Sequence, residues 1–394
     1  MLATSAGMTY NLNMNPTPLR VVELRLTHFR NYTSAELIAD GAIIVLTGAN
    51  GSGKTNLLEA LSLLTPGRGL RRANLNEVCN STGPGSWAVS AKLDSNGDEL
   101  AIGTGLSAPL SDEDSTQRDV RINAKNAKAG DLATHVSALW LTPESDGLFR
   151  GSAGDRRRFL DRLTMALDPG HGTRVNALEK LLRSRNRLLS EPQWDEKWLD
   201  AIEIELAEAA ISVSAARLSQ VESLQASILA HQNTGSPFPF ALLTMSGEIE
   251  DSLRAHASVI AEDRYRDVLA QTRNIDAAAG RTTRGAHLSD LLVEHGPKAI
   301  PAERASTGEQ KALLVGLILA QARHVAEHRG TTPLLLLDEI AAHLDNIRRA
   351  ALYDELEKLS AQAWLTGTDP EMFATLSGRA TFVEVANGTL RVAA

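Results

Sequence analysis

Ala42-Ile43-Ile44-Val45-Leu46-Thr47-Gly48-Ala49-Asn50-Gly51-Ser52-Gly53-Lys54-Thr55 is the stretch on which the reading of the fold turns. Its first six residues are almost continuously apolar, as in a strand buried on both faces. An apolar-periodic helix is predicted from Asn56 to Leu64. Between strand and helix, Gly48 to Thr55 matches G-x-x-x-x-G-K-[ST] in full, in the context that gives the motif its meaning. The glycines let the backbone of Gly48, Ala49, Asn50, Gly51, Ser52 and Gly53 wrap until its N–H groups face phosphate oxygens. The helix behind the loop adds the positive end of its dipole. Lys54 is a compact cation for the β- and γ-phosphates, and the Thr55 hydroxyl is a ligand for Mg²⁺. ATP with Mg²⁺ is the cofactor set that this loop implies.

Two later stretches complete a candidate site. In Leu334-Leu335-Leu336-Leu337-Asp338-Glu339, four aliphatics bring two acids to the carboxyl end of a central strand, where ligands collect in such sheets. Asp338 suits Mg²⁺ held through water, and Glu339 suits the orientation or deprotonation of an attacking water. Lys54 and Glu339 are thus the candidate catalytic pair. Ahead of this strand, Ser306-Thr307-Gly308-Glu309-Gln310 opens a helix and offers a second anion-binding end. One ATP does not need two such ends in one subunit, so the second suits the nucleotide of a partner copy. A plain helix start reads the same residues, because Ser306 with Glu309 spells a capping box.

The rest of the chain organises around these motifs. Leu19 to His28 alternates like a strand, and residues 87–125 read as short antiparallel strands. Apolar residues at 199, 202, 206, 209, 213, 216, 221, 224 and 228 repeat with a period of about 3.6, which predicts one long helix from Trp198 to His231. A second helix is predicted from Ile249 to Arg273. The organisation expected is a loose tail (1–19), a first ATPase lobe (20–170), a helical insert (171–300) and a closing half with the signature and Asp338 (301–394). The fold class is α/β: a mixed-sheet head split in sequence, plus an inserted α-helical domain.

Composition narrows the classes. The net charge is −8 and the sequence pI about 5.7, so nucleic acid would have to be met through local basic patches. Aromatics are 4%, too few for a long stacking groove. The longest apolar run, Ala312 to Ala320, has nine residues. A spanning helix needs about 20, so no membrane role is expected. A single cysteine, Cys79, fits a reducing cytoplasm. No group of histidines and acids shows metalloenzyme spacing, so no metal beyond Mg²⁺ is expected.

With these motifs in their order, followed by Ala342-His343-Leu344-Asp345, the chain resembles an ABC-type ATPase head. Ser306 follows Lys54 by 252 residues, a spacing unlike that of transporter ATPases and similar to the SMC, Rad50 and RecF group. Within that group the chain resembles the RecF family. The stretches that carry this likeness are Leu26 to Asn31, Thr47 to Ala60, the arginine loop Gly67 to Arg72, LTPES with GDRRRFLD, Ser306 to Lys311, and LLLLDE. The resemblance implies an ATP-driven homodimer that binds single-stranded and gapped double-stranded DNA. It implies work with RecR and RecO in loading RecA, with slow hydrolysis. It assigns Ser306, Gly308 and Gln310 to the γ-phosphate of the other subunit and Asp345 to the loop that crosses the interface. Where relatives carry a switch histidine, this chain has Thr366-Gly367-Thr368-Asp369, and either threonine fills the place. The stretch Leu141 to Glu144 occupies the region of the lobe glutamine.

Basic residues cluster at Arg68, Arg71 and Arg72 and at Arg156, Arg157 and Arg158, which makes both groups candidates for DNA phosphates. Asp155 and Asp161 flank the second group, so ion pairing is the alternative there. Rival functions are an SMC- or Rad50-like structural clamp and a nuclease-associated ATPase. The short insert disfavours the first, and the lack of a dense acidic or histidine cluster leaves the second in need of a nuclease partner.

Overall fold

The computed structural model describes residues 16–39, 41–107, 118–232 and 235–393, so the predicted tail lies almost wholly outside the described residues. Alternating residues at the start give a hairpin with one buried face: β1 (Leu19–Phe29) turns at Arg30 and returns as β2 (Tyr32–Ile38). β3 (Ile43–Thr47) does not alternate and is buried at all five positions. It feeds the glycine loop and α1 (Lys54–Ser62), which starts two residues ahead of the predicted point. β4 (Trp87–Ser95), β5 (Asp98–Leu106), β6 (Arg118–Ile122) and β7 (Lys125–Ala127) meander antiparallel. They extend the first hairpin into a six-stranded sheet in the order β2-β1-β4-β5-β6-β7.

A short α2 (Leu132–His135) leads to β8 (Ala138–Leu141), α3 (Ala153–Met165), α4 (His171–Leu189) and the long α5 (Glu196–His231). Then come β9 (Ala241–Ser246), α6 (Glu248–Ala255), α7 (Ser258–Ala279), β10 (Asp290–His295) and β11 (Ile300–Pro301). The single helix predicted over 249–273 is in fact two. His256 is extended and interrupts it, although no glycine or proline marks the break. The stretch 171–300 also carries a small antiparallel sheet, β11-β10-β9, beside its helices.

The closing half is α8 (Thr307–Arg329), β12 (Leu334–Leu337), α9 (Asn346–Leu359), β13 (Ala363–Gly367), β14 (Thr381–Ala386) and β15 (Thr389–Val392). Here the second sheet assembles from both ends of the chain, in the order β15-β14-β3-β13-β12-β8, parallel except for β15.

Alternate residues of these buried strands serve two cores. Ile44, Leu46, Leu334, Leu336 and Trp364 face α1 and the antiparallel sheet. Ile43, Val45, Leu335, Leu337 and Leu365 face α8, α9 and the end of α5. That two-sided burial is why the runs AIIVLT and LLLL lack polar alternation. Gln362, fully buried, spans the layers: its Oε1 accepts from the Val21 N–H at 2.8 Å and its Nε2 donates to the Val21 carbonyl at 3.0 Å.

Candidate nucleotide site

The carboxyl edge of the parallel sheet brings the glycine loop, Asp338 and Thr366 together. β3 delivers Gly48, β12 delivers Asp338, and β13 between them delivers Thr366. Thr55 Oγ1 lies 3.0 Å from each oxygen of Asp338, although 283 residues separate them in sequence. Thr366 Oγ1 donates to Asp338 Oδ1 at 2.7 Å and accepts from the Glu339 N–H at 2.8 Å. Of the two threonines left open by the sequence, Thr366 is buried against this pair and Thr368 is exposed. A hydroxyl and a carboxylate converging in this way are hard oxygen donors of the kind Mg²⁺ takes.

The loop is shaped as a cradle. A Cβ at Gly48 would strike the Val385 carbonyl, and one at Gly53 would strike Asn31 and Tyr32. Ser52 Oγ is buried with no hydrogen-bond partner among the described residues, as fits a ligand bearing oxygens. Lys54 is 5% exposed, and its Nζ donates to the carbonyls of Gly48 at 2.8 Å and Ala49 at 2.9 Å. Burial lowers the Lys54 pKa, while Glu339 and Asp338 oppose that shift. Gly48→Ala is expected to cost about 1–3 kcal/mol of stability, because the Val385 backbone cannot yield as a side chain can. A urea titration of the variant against wild type checks this.

Sequence reasoning missed the groups that hold the loop in place. Asn31 Nδ2 donates to the Ser52 carbonyl at 2.9 Å and the Tyr32 hydroxyl donates to the Gly53 carbonyl at 3.0 Å. Both come from the β1–β2 turn, and only the paired sheets reveal their reach. Arg30 forks onto buried Glu59 of α1 at 2.7 and 2.9 Å.

Ser306 caps α8 with Glu309, so the capping-box reading holds as geometry. Lys298, with the cap itself, holds the Glu309 carboxyl down at about 2. Ser306 and Gly308 face solvent, whereas Gln310 turns inward and donates to the carbonyls of Glu303 and Ala305. Among the described residues no hydrogen bond joins this turn to the glycine loop of the same chain. Asp345 is exposed and caps α9 at the Arg348 N–H, 2.8 Å away. The side chain of His343 lies outside the described residues. Lys311 at the start of α8 pairs with Asp146, 2.8 Å away, in the turn after β8. Leu141 ends that strand and takes the Asp338 N–H on its carbonyl.

The arginine groups separate in the fold. Arg156 forks onto Asp290 at 2.7 Å, and Arg157 donates to the Ser289 carbonyl, so both guanidiniums are committed to an internal contact with β10 and the turn before it. Arg71 bonds Glu59 and Asn56 on α1. Arg68, Arg72 and Arg158 are exposed, with Arg158 also pairing with Asp155. Arg72 lies within electrostatic reach of both Arg158 and Arg162. Arg162 stacks over Trp140, 4.6 Å from its ring centroid, and burial with Arg72 nearby lowers its pKa to about 9.

Fold and loop together define a P-loop ATPase head of the ABC type, its two halves separated in sequence by α4 to α7. The family model of the RecF/RecN/SMC N-terminal domain matches residues 20–390. The DNA replication and repair protein RecF of Mesorhizobium japonicum is 51% identical over 95% of this chain and 98% of its own length. That of Rhizobium etli is 50% identical over 95% and 99%. The chain belongs to the RecF family. A solved structure of the recombination mediator protein RecF-ATPrS in the RecFOR pathway superposes with a TM-score of 0.83 at 21% identity, covering 96% of this chain and 100% of that one. An SMC head domain from Pyrococcus furiosus superposes at 0.50 with 15% identity over 95% and 96%. Among the described residues, no helix is long and apolar enough to cross a membrane.

Proposed function

We propose that this protein is an ATP-dependent DNA-binding protein of recombinational repair and replication in the bacterial cytoplasm. Two copies close over two ATP molecules and hold DNA at single-strand gaps. The observation that carries the reading is the triad of Thr55, Asp338 and Thr366 at the glycine loop, together with a Ser306–Gly308 turn that faces solvent. The first prepares a nucleotide site within one chain, and the second leaves its cover to another.

In this reading the loop N–H groups and Lys54 bind the phosphates, with Lys54 leaving the carbonyls of Gly48 and Ala49 to do so. Mg²⁺, when bound, neutralises phosphate charge, and Thr55 and Asp338 are the residues that hold it. Glu339 takes a proton from the attacking water at its carboxylate. Ser306 and Gly308 of the partner copy close over the γ-phosphate, and Asp345 lies at the seam. Gln310, turned inward, serves by shaping that turn. Thr366 stands where a titratable switch would be, and its neutral hydroxyl favours slow turnover, so nucleotide binding sets the dimer state. Arg68, Arg72 and Arg158 are the arginines left for DNA phosphates. Family membership supports action with RecR and RecO in loading RecA.

Fluorescence anisotropy on a labelled gapped duplex tests the reading. ATP is expected to tighten binding by wild type by about 5- to 150-fold, the usual range of coupling between sites, and to do nothing for Lys54→Ala. Affinity should fall steeply with salt. Equal wild-type affinity with and without nucleotide would refute the proposal.

A further inference from the structure

The helical arm carries its charge unevenly. α5 and α7 each hold more acids than bases, whereas α4 holds Arg174, Lys180, Arg183, Arg185 and Arg187 against the single acid Glu179. On a chain of net charge −8 this is a local concentration that the total conceals. The fold then sorts the cations by direction. At about 3.6 residues per turn, Leu178, Leu182, Arg185 and Leu189 share one face of α4. That face is buried against α5 and α7, and Arg185 is neutralised there by Glu203 and Asp276.

The opposite face looks outward. Thr173, Asn176, Lys180, Arg183 and Arg187 recur there at helical spacing, and all of them are exposed. Every side chain in this row offers a hydrogen-bond donor, and none is a carboxylate. Among the described residues, Lys180 and Arg187 have no acidic partner. Arg183 has only Glu179, 3.7 Å away, with both side chains largely in water. A long, exposed pair of that kind holds neither charge firmly. From Thr173 to Arg187 the row runs about 21 Å along the helix axis.

The row starts beside the exposed arginines of the head. Arg72 lies within electrostatic reach of Arg158 on α3 and of Glu179 on α4, so the arginine loop, α3 and the outward side of α4 adjoin. Phe, Tyr and Trp are missing from α4, so this face has no platform on which unpaired bases could stack. Cations and donors in a straight row, without rings, suit the regular phosphates of a duplex.

We infer that the outward face of α4 is a second contact for duplex DNA, in which Lys180, Arg183 and Arg187 each neutralise one backbone phosphate and Thr173 and Asn176 donate to the same backbone. The inference rests on the proposed DNA-binding function and extends the contact from the head onto the helical arm. This contact is blind to sequence, because phosphates position a protein and base edges specify. The fold splits the run Arg183, Arg185, Arg187: the middle arginine seats α4 on its neighbours, and the outer two are left for a ligand.

The salt dependence of blunt-duplex affinity, followed by fluorescence anisotropy on full-length protein with saturating ATP, tests this. Each phosphate neutralised on a duplex contributes about 0.9 to the slope of log K against log salt. Lys180→Gln/Arg183→Gln/Arg187→Gln is expected to flatten that slope by about 2 to 3, and each single change by about 1, equally on unrelated sequences. ATP affinity and far-UV circular dichroism should stay at wild-type values. Folded variants that bind ATP and keep the wild-type slope would overturn this inference alone. A wild type with no affinity for duplex would overturn it together with the function on which it rests.

Discussion

Glu339→Gln is expected to slow ATP hydrolysis by about 10²- to 10⁴-fold, the usual worth of a positioned general base, while ATP still binds. The backbone supports singling out this residue. Glu339 has φ 54, left-handed and costly for a side-chain-bearing residue, by about 1 kcal/mol or more. The neighbours over-determine that conformation. β12 leads directly into Asp338, locked by Thr55 and Thr366, and the Glu339 N–H is held by Thr366 Oγ1. The Glu339 carboxylate lies close enough to Lys54 to oppose the lowering of its pKa by burial. Glutamine keeps the shape and removes the base, so the closed dimer should accumulate with unhydrolysed ATP. Single-turnover phosphate release measures the effect. A rate within threefold of wild type would move the proton transfer elsewhere.

Arg185→Ala should destabilise the helical arm's interior by about 3–5 kcal/mol, because it takes the arginine partner from buried Asp276 and one of two from buried Glu203. Arg185 is fully buried in α4. It donates to Glu203 at 2.9 Å, Asp276 at 2.7 Å, Thr282 at 2.9 Å and the Leu269 carbonyl at 2.8 Å. One guanidinium thus ties α4 to α5 and α7. Arg273 adds a second bond to Glu203. Burial pushes the Asp276 carboxyl up, but hydrogen bonds from Thr283, Arg185 and Thr272 outweigh it and leave the pKa below 3.8. The sign follows: this stabilisation is present above the ordinary value and is lost as pH falls through the lowered one. Urea titrations at neutral pH and near pH 3 read both effects. An unchanged midpoint at neutral pH would show that the network is dispensable.

What was legible in the sequence were the local devices. Gly48 to Thr55, Asp338 with Glu339, and the Ser306–Glu309 cap each announce themselves within a few residues, because loop conformation, strand burial and capping are short-range chemistry. Topology was not legible. β13 enters between β3 and β12, and only that insertion brings Thr366 rather than Thr368 to Asp338. Asn31 and Tyr32 hold the loop from another sheet, so nothing in the residues near Lys54 pointed to them. Arg156 to Arg158 read as a triplet open to DNA phosphates or to ion pairing with flanking acids, and the acid that Arg156 meets, Asp290, is 134 residues away and comes only with β10. The break at His256 escaped because its apolar period continues across it, and β9 was too short beside two helices to stand out.

Sedimentation velocity of wild type, Lys54→Ala and Ser306→Arg, each with and without ATP, tests most directly whether a second copy completes the site. The account predicts that ATP converts wild type alone from monomer to dimer, while Ser306→Arg binds ATP and stays a monomer. A Ser306→Arg protein that dimerises as well as wild type, or a wild type that stays monomeric at saturating non-hydrolysable analogue, would contradict it.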